Sequence, residues 1–180
     1  MLQNFSNGYE IGNFRIMTTL VLNDRQINQK LDRIAYEIVE NNFEDEQIFL
    51  VGIKGNGFEI AKELGKRLEN IGQQKINISE LTIDKKNPLE HAISISIPLE
   101  NFDHQTIVLV DDVINSGRTM QYALIKLLER PTKRVKTVAL VDRKHRSFPI
   151  RCDYVGLTLS TTLKDRIEVE LDGEKKAYLV

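Results

Sequence analysis

Thr106-Ile107-Val108-Leu109-Val110-Asp111-Asp112-Val113-Ile114-Asn115-Ser116-Gly117-Arg118-Thr119 is the stretch on which the reading of this chain turns. Residues 106–110 have the aliphatic, β-branched character of a strand buried on both faces, as in a parallel sheet. The apolar run alone is also compatible with a buried helix. Asp111 and Asp112 follow at its carboxyl end, the edge at which open α/β sheets bind ligands. Asn115, Ser116, Gly117 and Thr119 then make a turn of small, hydrogen-bonding residues, and the apolar spacing over 119–129 is that of an amphipathic helix. A helix N-terminus offers unsatisfied N–H groups and a partial positive charge to a phosphate. Successive strand side chains face opposite ways, so the two carboxylates are expected to divide between sugar hydroxyls and local structure. Paired anions beside a phosphate cradle suit a ligand that carries both sugar hydroxyls and a phosphate.

Two other readings of the acidic pair carry less of the sequence. Signalling receiver domains also place adjacent aspartates after a hydrophobic strand, but near the domain start, whereas 110 residues precede Asp111 here. A solvated Asp-Asp at a strand-helix turn would leave the Asn115 to Thr119 loop unexplained.

The rest of the chain alternates strand and helix patterns. A helix is expected over 24–41, capped by Asp24, with Ile27, Leu31, Ile34, Ala35 and Ile38 on one face. Strands are expected at 18–22, 47–53, 75–83, 135–142, 154–157, 167–171 and 177–180, a helix at 57–71, and an extended segment at 93–98. Asp172-Gly173 reads as the turn between the last two strands. This order predicts an α/β fold around a mostly parallel sheet. With 180 residues, 41% hydrophobic and 28% charged, one soluble domain over 17–180 is expected, behind a flexible N-terminal arm at 1–16. A formal net charge of −1 gives no global attraction to nucleic acid or membrane. No secretory signal or run long enough for a membrane span is visible, and the single Cys152 cannot form an intrachain disulfide. A reducing cytoplasm is the expected compartment.

A second glycine-punctuated loop, Lys54-Gly55-Asn56-Gly57, lies between a strand and a helix in Leu50-Val51-Gly52-Ile53-Lys54-Gly55-Asn56-Gly57-Phe58. It fails the P-loop pattern because Phe58 stands where Lys is required, and the dinucleotide fingerprint because Ile60 stands at the third glycine position. The remaining reading is an anion-binding turn or a purely structural one.

Val110-Asp111-Asp112-Val113-Ile114-Asn115-Ser116-Gly117-Arg118-Thr119 resembles the phosphoribosyl pyrophosphate (PRPP) signature of type I phosphoribosyltransferases. Leu140-Val141-Asp142-Arg143-Lys144-His145-Arg146-Ser147-Phe148-Pro149-Ile150-Arg151-Cys152-Asp153-Tyr154-Val155-Gly156 resembles the run that follows this site in the PyrR-like subfamily, pyrimidine-operon regulators that are also uracil phosphoribosyltransferases. Leu31-x-Arg33-Ile34-Ala35-x-Glu37 and Val51-Gly52-Ile53-Lys54 match the same relatives, so the resemblance spans residues 17–173.

The resemblance implies the type I phosphoribosyltransferase fold, a mostly parallel twisted sheet flanked by helices with a small hood. It implies that Asp111 and Asp112 contact the ribose, that Asn115, Ser116, Gly117, Arg118 and Thr119 hold the 5′-phosphate, and that Lys54, Gly55, Asn56 and Gly57 hold pyrophosphate. Lys85 and Lys86 would cover the site from a flexible loop, in place of the usual arginine-bearing element. Asp142, Arg143, Leu159, Ser160, Thr161 and Thr162 are the expected base-side residues. Magnesium would bind mainly through PRPP, and the partners would be PRPP and a nucleobase or nucleotide, in a homodimer or homotetramer. The implied activity is magnesium-dependent phosphoribosyl transfer to a base, with uracil as the first candidate. The alternatives are a nucleotide- or PRPP-sensing RNA-binding regulator with little transferase activity, and a silent PRPP-fold protein. RNA is a partner the resemblance raises and two residues count against. Asp32 and Tyr36 replace the usual Thr and His on the subfamily's RNA-associated surface, and an acid there repels a phosphate backbone.

Overall fold

The computed structural model describes residues 19–144, 146–160 and 165–180. Its centre is a six-stranded sheet built from β2 (Gln47–Ile53), β3 (Lys75–Thr82), β4 (Ser94–Ile95), β5 (Thr106–Ile114), β6 (Arg134–Arg143) and β7 (Tyr154–Leu159). Their spatial order is β4-β3-β2-β5-β6-β7, parallel throughout except for the short antiparallel edge strand β4. The chain moves outward from β2 to β3 and then returns past β2 to start β5. The boundary between β2 and β5 is therefore the topological switch point, where the loops leaving two neighbouring strands diverge and a crevice opens.

Among the described residues three α-helices cover the sheet. α1 (Asp24–Asn41) buries Ile27, Leu31, Ile34, Ala35 and Ile38, the face its periodicity predicts. Its cap is Asn23 rather than Asp24: the Asn23 side chain accepts from Gln26 N at 2.9 Å, and Gln26 reciprocates to Asn23 N at 3.0 Å. α1 and α2 (Asn56–Ile71) pack on one face of the sheet against Ile48, Leu50, Val108, Val110, Val138 and Leu140. α3 (Arg118–Leu127) and a 3-10 turn at Leu99–Phe102 pack on the other, against Phe49, Val51, Ile107, Leu109 and Ala139. The alternation of β2 and β5 residues between two cores is what a strand covered on both sides requires.

β1 (Thr19–Leu22), β8 (Ile167–Glu170) and β9 (Lys176–Leu179) form a separate antiparallel sheet, the hood, in the order β1-β9-β8. Ile167, Val169 and Ala177 face the α1/α2 core, leaving Glu168 and Glu170 outward. Gly173, at φ +71°, makes the β8–β9 turn. Arg33 reaches from α1 to the carbonyls of Val155 (2.6 Å) and Gly156 (3.1 Å), fixing the helix to edge strand β7. No helix among the described residues is long and apolar enough to cross a membrane.

Candidate active site

β5 runs four residues beyond its apolar stretch because Asp111 and Val113 continue the ladder to Ala139 and Val141 of β6. The two carboxylates thus sit within the last turns of pleat and diverge, as alternation demands. Asp111 Oδ1 accepts from Asp112 N at 3.0 Å and from Lys85 Nζ at 3.3 Å. Asp112 Oδ1 accepts from Val113 N at 2.9 Å, while its Oδ2 accepts from Asn56 Nδ2 at 2.9 Å. Asp111 is buried, and burial, reinforced by the neighbouring Asp112 charge, pushes its carboxyl up to about 7 despite the opposing pull of Lys85.

The acids open onto a cleft of about 450 Å³, a size suited to a small ligand. Residues 111–120, Asn56, Lys85 and the hood residues Ile167, Glu168 and Val169 line it. Its floor turns at Gly117, which has φ +82° and caps α3. A Cβ at Gly117 would collide with Ile150, so that position needs glycine for conformation and for space. The carbonyl of Ser116 accepts from both Ser147 N (3.1 Å) and Phe148 N (3.0 Å), so the segment after β6 buttresses this turn. Beyond it α3 begins among the cleft-lining residues Arg118, Thr119 and Met120, with Arg118 N donating to Ser116 Oγ at 3.3 Å; a helix start of this kind offers unsatisfied N–H groups to an anion.

The loop after β2 comes up against the same acids. A Cβ on Gly57 would lie 2.8 Å from Val110 O and 3.1 Å from Asp111 Oδ1, so glycine permits α2 to start flush against β5. Lys54 and Gly55 are exposed on the rim, and Gly55 adopts φ +92°. Of this loop Asn56 alone reaches the cleft lining, donating to Asp112 and, at 2.7 Å, to Val169 O of the hood.

Lys85 and Lys86 divide their work. Asp84 accepts from the amides of Lys86 (2.8 Å) and Asn87 (3.0 Å), and these backbone donors hold its carboxyl below the usual range. The resulting turn sends Lys85 into the cleft toward Asp111, while the Lys86 carbonyl accepts from Arg118 at 3.3 Å.

Among the residues expected on the base side, the structure separates neighbours. Arg143 is buried and donates to Asn115 Oδ1 at 3.0 Å, which ties the end of β6 to the turn after β5. Asp142 instead pairs with Arg146 and fronts a second cleft with Arg33, Glu37 and Arg151. Leu159 ends β7 and Ser160 follows it, both outside the main cleft lining, and Thr161 and Thr162 lie outside the described residues. Glu168 was missed by the sequence reading. Its signal was the Ile-Glu-Val-Glu alternation of β8, which turns Glu168 away from the core and onto the cleft. Cys152 is buried and its thiol is pushed up to about 12, by burial first and the Asp142 charge second, which keeps it inert. Asp32 is paired with Arg67 at 2.8 Å, and Tyr36 is exposed.

A strand ending in two diverging acids beside a glycine-led helix start, at the switch point of a parallel sheet, defines a sugar-phosphate-binding α/β protein. Residues 18–172 match the phosphoribosyl transferase domain model, and the chain belongs to that family. It is similar to the bifunctional protein PyrR of Streptococcus gordonii, 38% identical over 172 residues covering 90% of this chain and 97% of the relative. It is also similar to the bifunctional protein PyrR of Haemophilus ducreyi, 33% identical over 177 residues, with 91% and 97% covered. Among solved structures, the hypoxanthine phosphoribosyltransferase of Trypanosoma cruzi has a TM-score of 0.68 at 13% identity, covering 82% of this chain and 83% of that one. A hypoxanthine-guanine phosphoribosyltransferase from Bacillus anthracis has a TM-score of 0.65 at 19% identity, covering 78% and 82%. At those identities the solved structures speak to the type I fold. The relatives speak to PyrR-like phosphoribosyltransferase chemistry.

Proposed function

We propose that this phosphoribosyltransferase uses uracil as its acceptor and magnesium as its metal, making the nucleoside monophosphate and pyrophosphate. The observation that carries the donor side is the continuity of the Asp111-Asp112 pair with the Gly117 turn in one cleft. In the reaction a ring nitrogen of the base attacks C1 of the ribose, the C1–O bond to pyrophosphate breaks with its electron pair leaving on oxygen, and the ring N–H proton is lost. Positive charge builds on the ribose, and the carboxylates of Asp111 and Asp112 beside it would favour that state electrostatically. Positioning supplies the rest, since no protein nucleophile is needed. The α3 amides with Asn115, Ser116, Gly117, Arg118 and Thr119 receive the 5′-phosphate, and Lys54 to Gly57 the pyrophosphate. The acceptor side is assigned to Asp142 and Arg143, supported by their place in the PyrR-like run, and to Leu159, Ser160, Thr161 and Thr162, of which the Ser and Thr hydroxyls could pair a pyrimidine edge.

Among the described residues no cluster of three or more His, Cys, Asp or Glu side chains can cage a metal. Magnesium would therefore bind mainly through the phosphate oxygens of PRPP and water, the usual mode for this hard cation. When bound it neutralises the leaving phosphates. Pyrophosphate release should be measured with PRPP and magnesium across uracil, hypoxanthine, guanine, xanthine and adenine. Release with uracil supports the proposal, release only with a purine overturns the acceptor, and PRPP binding without release by any base overturns catalysis.

A regulator reading is favoured by the PyrR-like relatives. Asp32 also counts less against it than its sequence suggests, since Arg67 meets its charge. Retention of RNA with a steep loss as salt rises would support it. A cytoplasmic homodimer or homotetramer belongs to the same proposal, and sedimentation of the purified chain decides the assembly.

A further inference from the structure

We infer that Asn56 is a positioning residue that couples the pyrophosphate loop to the hood, through Asp112; this rests on the transfer reading above. A primary amide nitrogen carries two hydrogens. Asn56 Nδ2 places one on Asp112 Oδ2 at 2.9 Å and the other on Val169 O at 2.7 Å. A single planar group therefore joins the start of α2, the ribose-side acid of β5 and strand β8 of the hood. These three pieces are otherwise far apart in sequence, and the hood is not laddered to the main sheet.

The surroundings make the amide a stiff connection. Its neighbour Gly57 is pressed against Val110 O and Asp111, so the loop cannot move closer to β5. On the other side of the carboxylate, Asp112 Oδ1 is held by Val113 N, so the Asn56 bond completes the fixing of its plane. The hood end of the link is Val169, whose neighbours Ile167 and Glu168 line the cleft opposite the acids. Lys54 N is taken by Leu81 O at 2.8 Å, so a leaving group settling on the Gly55 to Gly57 amides meets the group that orients Asp112 and anchors β8. Occupancy of the pyrophosphate subsite and the position of the hood are linked, and linkage of this kind is reciprocal.

The test has two arms. Amide hydrogen exchange over β8 is compared with and without magnesium pyrophosphate in the wild type, N56A, N56D and N56S. The wild type should change its β8 exchange by about fivefold or more, the low end of ordinary coupling. N56A should lose the response, and N56S, with one donor, should keep part of it. An unchanged response in N56A, or none in the wild type, overturns the proposal. In the kinetic arm N56D keeps the size of the side chain but sets a carboxylate against Asp112 and the Val169 carbonyl. It should therefore lose more kcat than N56A, with at least about a tenfold loss. A space-filling role predicts the reverse order, and that order overturns the proposal. Failure of the wild type to make nucleotide from any base would refute the transfer reading, while the exchange arm would still decide the role of Asn56.

Discussion

Replacing Asp111 by asparagine should stabilise the protein at neutral and alkaline pH while removing its chemistry. Asp111 is 3% exposed, and burial together with the Asp112 charge lifts its carboxyl from 3.8 to about 7. Between roughly pH 4 and pH 7 the folded protein keeps a proton on this group that the unfolded chain has lost. The native state then binds more protons, so stability falls as pH rises through that window and levels off above it, where both states are ionised. A displacement of about 3 units at 1.36 kcal/mol per unit amounts to ~4 kcal/mol of destabilisation above pH 7. For a chain of this size that is roughly 10 °C in Tm. D111N carries no such ionisation. Urea unfolding of both proteins from pH 4.5 to pH 8 should show curves that nearly meet at the acid end and diverge by ~4 kcal/mol at pH 8, with D111N the more stable. Pyrophosphate release by D111N should fall on the order of a hundredfold, the scale of losing one electrostatic partner of a transition state. Parallel pH profiles, or a D111N protein no more stable than the wild type at pH 8, would refute the buried, proton-retaining state assigned to Asp111.

Three further changes separate other parts of the structure. K85M should cost about 1 kcal/mol or less in stability, because its lysine is half exposed, yet it should raise the pH at which transfer activity sets in, since Lys85 favours ionised Asp111. The pH–rate profile checks this, and an unmoved acid limb would count against the ion pair. G57A forces a methyl into a 2.8 Å gap at Val110 O, so it should lose about 1–3 kcal/mol by thermal unfolding and weaken pyrophosphate binding measured by calorimetry. N23A removes the α1 capping box at a loss of about 1 kcal/mol, with kcat and KM unchanged, which a denaturation curve and a rate assay together establish.

The strength of the local signal decided what could be read in advance. The buried face of α1, the bounds of β2 and the β8–β9 turn all follow from side-chain period and turn chemistry, and each is observed. The acidic pair was legible as a site because strand, acids, glycine and helix are contiguous. Its continuation in the ladder to Ile114 was not, because polar residues at a strand end look like a loop until β6 supplies their backbone partners. The separation of Asp142 from Arg143 was implicit in strand alternation, but which of the two faces Asn115 depends on the β5–β6 register. The reach of Asn56 to Val169 crosses 113 residues and has no local trace. Asn23 and Asp24 are both acceptable caps by type, and only the reciprocal bonds of Gln26 choose between them.

The paired bonds from Ser147 and Phe148 to the Ser116 carbonyl, with Ile150 seated over Gly117, have a consequence for how this protein can diversify. The peptide between β6 and β7 serves as a mould for the Ser116–Gly117 turn, so its length is set by a partner encoded some thirty residues earlier. Single exchanges of side chains along it are tolerable wherever the backbone keeps its course. Insertions and deletions are not, because one residue more or less would deform the Ser116–Gly117 turn. Libraries aimed at a new acceptor should therefore vary the identity of residues in this segment and hold their number constant.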